Sequence, residues 1–271
     1  MSPPTLAQQR AFFETFGFLK LPGLMKAEYP QIAADFEAVF PQMGLNHDGS
    51  KRTVFVPFVD QRPGLCALLD HPGLLAAVGN LIGPDFNYVS SDGNCYSGDT
   101  TWHLDSAYRS NAYLKVAFYL DPLTRDTGAL RVMPGSHRDG ALDNWVETDL
   151  RAAPAVYGCE QRDLPAVALE SQPGDVLIFN HRLRHASFGG GPRRRMFTMN
   201  LGRRAVTPQE IDDFITYIGV HWLNFTDEPY GATMLATASP ARKVHLTQVF
   251  EYLEAGRALR QARCARPSSA T

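Results

Sequence analysis

The stretch TWHLDSAYRS, residues 101–110, sets an imidazole and a carboxylate two positions apart, at His103 and Asp105. On an extended strand that spacing puts both side chains on one face, because alternate residues point the same way. Two such ligands can share a metal. The triplet alone is weak, since 8 histidines in this composition give roughly 0.5 His-x-Asp triplets by chance, the ordinary risk of a short motif. An oxygen-activating non-haem Fe(II) site needs two imidazoles and one carboxylate on one face of an octahedron, with three positions left open. The second imidazole must therefore come from elsewhere in the chain. PGDVLIFNHRLRHASFGGGPRRRMF, from Pro173, offers two candidates, His181 and His185, at the end of an apolar strand. After His185 come Ala186, Ser187, a glycine-rich hairpin and the triple arginine Arg193, Arg194 and Arg195 entering a second strand. A keto acid such as 2-oxoglutarate chelates iron at one end and leaves a carboxylate at the other. The planar fork of an arginine suits that far carboxylate, and an arginine on the strand pairing with that of His185 would supply it.

The elements that must position these residues are legible from periodicity. Thr5 to Phe16 reads as a helix stopped by Gly17 and followed by the short strand of FLKLPGL; a second helix covers Tyr29 to Phe40. Pro63 to Ile82 reads as two short helices broken at Pro72. From Asn87 to Gly202 the texture changes to short apolar or alternating runs, YVSS, YLKVAFYL, ALRVM, AVALES, DVLIF and MFTMNL, separated by turn residues. That is the signature of a β-sandwich or barrel. After Pro208 helical spacing returns, with Leu246, Val249, Phe250 and Leu253 on one face. No repeat, low-complexity tract or linker divides the chain. It reads as a single domain over 1–271, helical in 1–85, a β-core in 86–204 and C-terminal helices in 205–262.

Composition narrows the partners. With 26 basic against 28 acidic residues the charge is nearly balanced, so no global field draws the chain to nucleic acid or an anionic membrane. A small-molecule partner is the expectation. Cys66, Cys95, Cys159 and Cys264 form neither a Cys-x-x-Cys pair nor a zinc pattern, which implies reduced thiols in a cytoplasmic protein. The N-terminus lacks a signal-peptide pattern and no stretch approaches 18 or so apolar residues, so a soluble, unexported protein is expected. Nothing in the sequence sets an oligomeric state.

These motifs together resemble the phytanoyl-CoA dioxygenase family of Fe(II)- and 2-oxoglutarate-dependent oxygenases. The resemblance runs through AFFETFGFLKLPGL, WHLD, LDPLTRDTGALRVMPGSHRDG, PGDVLIFNHRLRHAS and RRRMF, roughly residues 8–202; past Pro208 there is no recognisable likeness. It implies a mainly β fold with flanking helices, a double-stranded β-helix (a cupin-like jelly roll), with His103, Asp105 and His185 as metal ligands and catalytic centre. It implies that Ser187 hydrogen-bonds the 2-oxoglutarate carboxylate. Of the arginines it favours Arg194, which stands four residues before Thr198, with Arg195 the rival because the GGGP hairpin is shorter than is usual in the family. Fe(II), 2-oxoglutarate and O2 are the implied cofactors, and the implied reaction is oxidation, usually hydroxylation, of a substrate C–H bond with release of succinate and CO2.

The remaining polar residues are read more plainly. His181 is expected beside the ligands rather than among them, and His137 in a turn. Arg131, between a leucine and the PGSH turn, is a candidate to hold an anionic substrate. Tyr108 and Arg109 are candidates to line the entrance, Trp102 to pack beneath the metal, and Trp222 with Phe225 to form an aromatic lid or plain core. With Asp105 present, the resemblance argues against a halogenase, in which a small residue replaces the carboxylate. The same triad serves desaturation, epoxidation and cyclisation; other readings are a cofactor-free cupin dioxygenase, a protein hydroxylase with an open peptide groove, and a noncatalytic metal-binding jelly roll.

Overall fold

The computed structural model describes residues 3–140, 147–222 and 227–264, without the side chains of residues 147, 148, 221, 222 and 264. Its contacts divide the chain into two units. One comprises Met1–Phe55, Gly93–Ala107 and Leu114–Thr198, the other Val56–Asp92, Tyr108–Tyr113 and Met199–Thr271.

The first unit starts with helix α1 (Leu6–Phe16), entered through a capping box in which Thr5 and Gln8 satisfy each other's backbone N–H groups. It ends at Gly17, whose φ of +85° suits glycine, and a Cβ there would also press on the side chains of His137 and Leu183. Strand β1 (Phe18–Leu21) follows at once and pairs antiparallel with β8 (Val176–Asn180), Phe18 opposite Phe179. The short strand expected in FLKLPGL is thus present, as an edge strand of the main sheet. Helix α2 (Tyr29–Gln42) runs two residues beyond its expected end, through Pro41.

Six strands make the larger sheet, in the order β1-β8-β5-β10-β3-β2, with β2 Thr53–Phe55, β3 Asn87–Tyr96, β5 Tyr113–Tyr119 and β10 Arg194–Gly202. Four make the smaller, in the order β4-β9-β6-β7, with β4 Thr100–His103, β6 Leu130–Val132, β7 Val167–Leu169 and β9 His185–Ser187. Ala117, Tyr119, Leu177, Phe179 and Met196 of the larger sheet form one buried cluster with Leu130, Val132 and Leu169 of the smaller. The two sheets thus pack face to face over an apolar interior, as a jelly roll does.

The GGGP segment is not the hairpin expected. It carries the chain from β9 in one sheet to β10 in the other, so the arginines do not lie on a strand that pairs with that of His185. Behind the smaller sheet, Trp102, Met133, Ala186 and Phe188 pack with Leu150 of helix α5 (Glu147–Arg151) and Ala153 of helix α6 (Ala153–Tyr157). These short helices interrupt the stretch expected to be all β.

The second unit holds α3 (Pro63–Cys66), α4 (Pro72–Ile82), α7 (Pro208–Tyr217), α8 (Ala232–Thr237) and α9 (Pro240–Cys264), with the expected break before Pro72. In α9, Leu246, Val249 and Leu253 are buried and Phe250 is exposed. Among the described residues no single helix is long and apolar enough to cross a membrane. The bent pair Pro63–Asp70 and Pro72–Ile82 passes that test jointly, but its Leu65, Leu68, Leu69, Leu74 and Val78 are buried in the core.

Candidate metal centre

His103 closes β4 and stands opposite His185, the first residue of β9, with the two ring centroids 4.1 Å apart. A register shift lies between Thr100 and His103. Asp105 sits beyond the strand end, so simple alternation does not deliver it. Instead its backbone N–H donates to the His181 carbonyl at 2.8 Å, and Ser106 N–H to the same oxygen at 3.2 Å. His181 is thereby placed in the turn that holds the aspartate. One ligand atom each from His103, Asp105 and His185 lies within 4.8 Å of the others, the only such group among the described residues.

Backbone hydrogen bonds choose the histidine tautomers. Nδ1 of His103 donates to the Thr101 carbonyl and Nδ1 of His185 to the Leu183 carbonyl, both at 2.8 Å. A carbonyl only accepts, so each Nδ1 carries the proton and each Nε2 keeps its lone pair, the arrangement metal-binding histidines use. Burial pushes the His185 imidazole down to about 3, with His103 adding to the shift. Burial also lowers His103. Burial works against the Asp105 carboxylate, yet Lys115, helped by the three histidines, holds its carboxyl well below the usual range. Asp105 Oδ2 is buried without a hydrogen bond and lies 3.8 Å from His185 Nε2. Two neutral imidazoles and an unsatisfied carboxylate oxygen are a donor set that fits a divalent first-row metal.

Protons and metal compete for the same nitrogens. With both imidazoles held below their ordinary 6.5, affinity for Co(II), measured by calorimetry, is expected to stay level as pH falls from neutrality to 6.5 and to drop only in more acid solution. A midpoint at the ordinary histidine value would contradict this.

Ser187 lies two residues beyond His185 on β9, so both face the interior, about 7 Å apart along the strand. Its Oγ donates to the Gly128 carbonyl at 2.7 Å and accepts from Arg194 Nη1. Arg194 is 4% exposed. Nη1 also reaches the Gly128 carbonyl at 2.9 Å, Nη2 the Thr100 hydroxyl at 3.4 Å, and the guanidinium lies over the Tyr96 ring. Gly128, at φ +99°, clears the space: a Cβ there would collide with Nη1. Nε is buried without a hydrogen bond, and among the described residues no carboxylate pairs with this guanidinium. A buried cation so placed calls for an anion.

The neighbouring arginines have their anions already. Arg195 makes a forked pair with Asp121 and reaches Glu37 at 2.7 Å, and Arg193 meets Glu37 at 2.6 Å. Alternation along β10 turns Arg195 away from the face that Arg194 shares with Met196 and Thr198. Of the two cosubstrate candidates, the structure brings only Arg194 to Ser187.

Arg131 is not brought to the metal side. On β6 it stands opposite Ala186, whereas Leu130 and Val132 stand opposite Ser187 and His185. Its guanidinium donates to the Arg162 carbonyl at 2.5 Å and the Arg125 carbonyl at 2.9 Å, and lies over the Phe188 ring. Arg131→Met removes the hydrogen bonds of a buried guanidinium and is expected to lower stability by about 1–3 kcal/mol, read by urea unfolding, while ligand affinity stays unchanged. A ligand effect without a stability effect would reverse that assignment.

Trp102 also faces the back of the smaller sheet, its indole N–H donating to the Gln161 carbonyl at 3.0 Å, rather than packing beneath the metal. His137 braces α1 through the Glu14 carbonyl at 3.3 Å. Tyr108 and Arg109 belong to the second unit, where Tyr108 packs on Tyr113 and Tyr217 and Arg109 is exposed. The side chain of Trp222 and the whole of Phe225 lie outside the described residues. Sequence reasoning missed Lys115, whose Nζ is 2.7 Å from Asp105 Oδ1. The signal was there: in YLKVAFYL it is the lone charge, on the face of Ala117 and Tyr119.

A profile of the phytanoyl-CoA dioxygenase family matches residues 13–196. The dioxygenase FrzG of Cladobotryum sp. is 31% identical over 124 residues, which is 40% of this chain and 37% of that relative, so the likeness spans well under half of its length. Among solved structures, HygX of Streptomyces hygroscopicus, with nickel and 2-oxoglutarate bound, superposes with a TM-score of 0.61 at 17% identity, covering 76% of this chain and 90% of that one. SnoK, a non-haem α-ketoglutarate-dependent carbocyclase of nogalamycin biosynthesis, gives a TM-score of 0.57 at 20% identity over 76% of this chain and 88% of its own. At such identities these two likenesses establish the jelly-roll fold.

Proposed function

This chain belongs to the phytanoyl-CoA dioxygenase family, and we propose that it is a dioxygenase of the non-haem iron and 2-oxoglutarate type that hydroxylates a C–H bond of a small molecule. The observation that carries this reading is the convergence of His103, Asp105 and His185, with their ligand atoms within 4.8 Å. Fe(II) held there would bind and activate O2, the oxidant: one oxygen atom would enter succinate as 2-oxoglutarate loses CO2, and the other would go to the substrate C–H bond.

The chain's own residues do the rest. The Thr101 and Leu183 carbonyls aim Nε2 of each histidine at the metal position. Arg194 takes the far carboxylate of 2-oxoglutarate, steadied by Ser187 and Gly128; the 7 Å or so between His185 and Ser187 along the strand matches the length of a five-carbon diacid. The apolar interior formed by Leu130, Val132, Phe179 and Met196 keeps water from the reacting centre and strengthens each charge contact within it. The balanced charge favours a small molecule over nucleic acid or an anionic membrane, in the cytoplasm.

Cyclisation, epoxidation or desaturation uses the same ligands, and the likeness to a carbocyclase is the observation that keeps this second reading in view. Succinate release coupled to a panel of amino acids, acyl thioesters, phosphonates and natural-product scaffolds tests both. A product heavier by one oxygen atom and carrying a new hydroxyl by NMR supports hydroxylation, the same mass gain with loss of an alkene supports epoxidation, and a product lighter by two hydrogens supports ring closure or desaturation. Succinate that never exceeds the substrate-free level with any scaffold, from iron-loaded protein, would count against a small-molecule oxygenase.

A further inference from the structure

Lys115 stands in an unusual place for a lysine. It lies on β5 opposite Phe179 of β8, on the same face as Ala117 and Tyr119, and that face lines the interior between the two sheets. Removing an ammonium from water into such surroundings is costly unless it is paired. The pairing is selective: Nζ lies 2.7 Å from Asp105 Oδ1, while Oδ2 turns to His185 Nε2 at 3.8 Å and has no hydrogen bond. The two oxygens of one carboxylate thus have different duties.

We infer that Lys115 is a positioning residue of the metal centre: it occupies Oδ1 of Asp105 so that only Oδ2 can ligate, which keeps the carboxylate one-pointed and leaves a coordination position open for 2-oxoglutarate. This rests on the iron and 2-oxoglutarate reading above. A carboxylate relieved of its partner can swing Oδ1 onto the same metal, and two-point ligation then competes with the cosubstrate's chelate. The backbone hydrogen bond from Asp105 to the His181 carbonyl fixes where the side chain starts but not how it rotates, so the lysine is what selects the oxygen. Groups that hold a metal ligand in this manner typically alter metal affinity or activity about 10- to 100-fold when removed.

The test uses Co(II)-substituted protein without oxygen or turnover. Lys115→Met is expected to retain Co(II), to change the visible ligand-field spectrum, and to bind 2-oxoglutarate at least ~10-fold more weakly. Lys115→Leu should behave alike if the methionine variant fails to fold, and Lys115→Arg, which keeps a cationic donor, should restore the wild-type spectrum and affinity. A Lys115→Met or Lys115→Leu protein with wild-type spectrum and 2-oxoglutarate affinity would overturn the inference and leave Lys115 an interior charge partner. Failure of the oxygenase reading itself would show separately, as wild-type protein whose Co(II) spectrum does not respond to 2-oxoglutarate.

Discussion

His185→Ala is expected to abolish turnover, with kcat/KM reduced by at least ~10³-fold, a loss of about 4 kcal/mol of transition-state stabilisation. The size follows from position. His185 is 5% exposed, and its Nε2 is fixed by a hydrogen bond on the far side of the ring. Alanine leaves two ligands and a void that no nearby chain can fill, since β9 is held on both sides by β4 and β6. Metal retention measured after gel filtration should fall with activity, while secondary structure by circular dichroism stays as in the wild type. His181→Ala is the control. Its imidazole is not one of the three ligands, and the backbone carbonyl that holds Asp105 survives the substitution, so metal should be retained.

Arg194→Met should raise the KM for 2-oxoglutarate by a few tens- to several hundred-fold, the ~2–4 kcal/mol that follows from removing one partner of a buried charge pair. Arg194→Lys should recover only part of it, because an ammonium lacks the two-pronged geometry. Arg195→Met carries the opposite expectation. Its partners are Asp121 and Glu37, so it should cost stability and leave that KM alone. Equal KM effects at the two positions would refute the division of labour along β10. Metal affinity should be unchanged in all three variants, which separates cosubstrate anchoring from iron binding.

The residues that bind were more legible in the sequence than the geometry that gathers them. The motifs WHLD and HRLRHAS contain His103, Asp105 and His185, the three proposed ligands, whose ligand atoms the structure brings within 4.8 Å of one another. Periodicity found α1, α2, the break at Pro72 and the long strands. The short β6 and β7 sit in the apolar runs ALRVM and AVALES, but periodicity did not find the equally short β4 and β9, three or four residues each, because TTWH and HAS are mostly polar. These are the strands that bear the two histidines, and Asp105 sits past the end of one of them. The glycine-rich segment illustrates a second limit. Its composition signals a turn, but whether a turn joins neighbours in one sheet or crosses to the other depends on pairings far away in sequence. That crossing is what turns Arg194 toward Ser187. Arg131 shows the same limit within one strand, where a one-residue difference in phase sends a side chain to the opposite face. The choice between Arg194 and Arg195 rested on the ion pairs of Arg195, and its partners Asp121 and Glu37 are 74 and 158 residues away.

The central claim is that His103, Asp105 and His185 hold iron in a form that 2-oxoglutarate chelates. It is tested most directly by adding Fe(II) and then 2-oxoglutarate to metal-free protein under strict exclusion of oxygen and recording the visible spectrum. A weak metal-to-ligand charge-transfer band should develop only when both are present, saturate with one 2-oxoglutarate per iron, and be missing in His185→Ala. Wild-type protein shown to contain its iron, yet giving no band at saturating 2-oxoglutarate, would contradict the account.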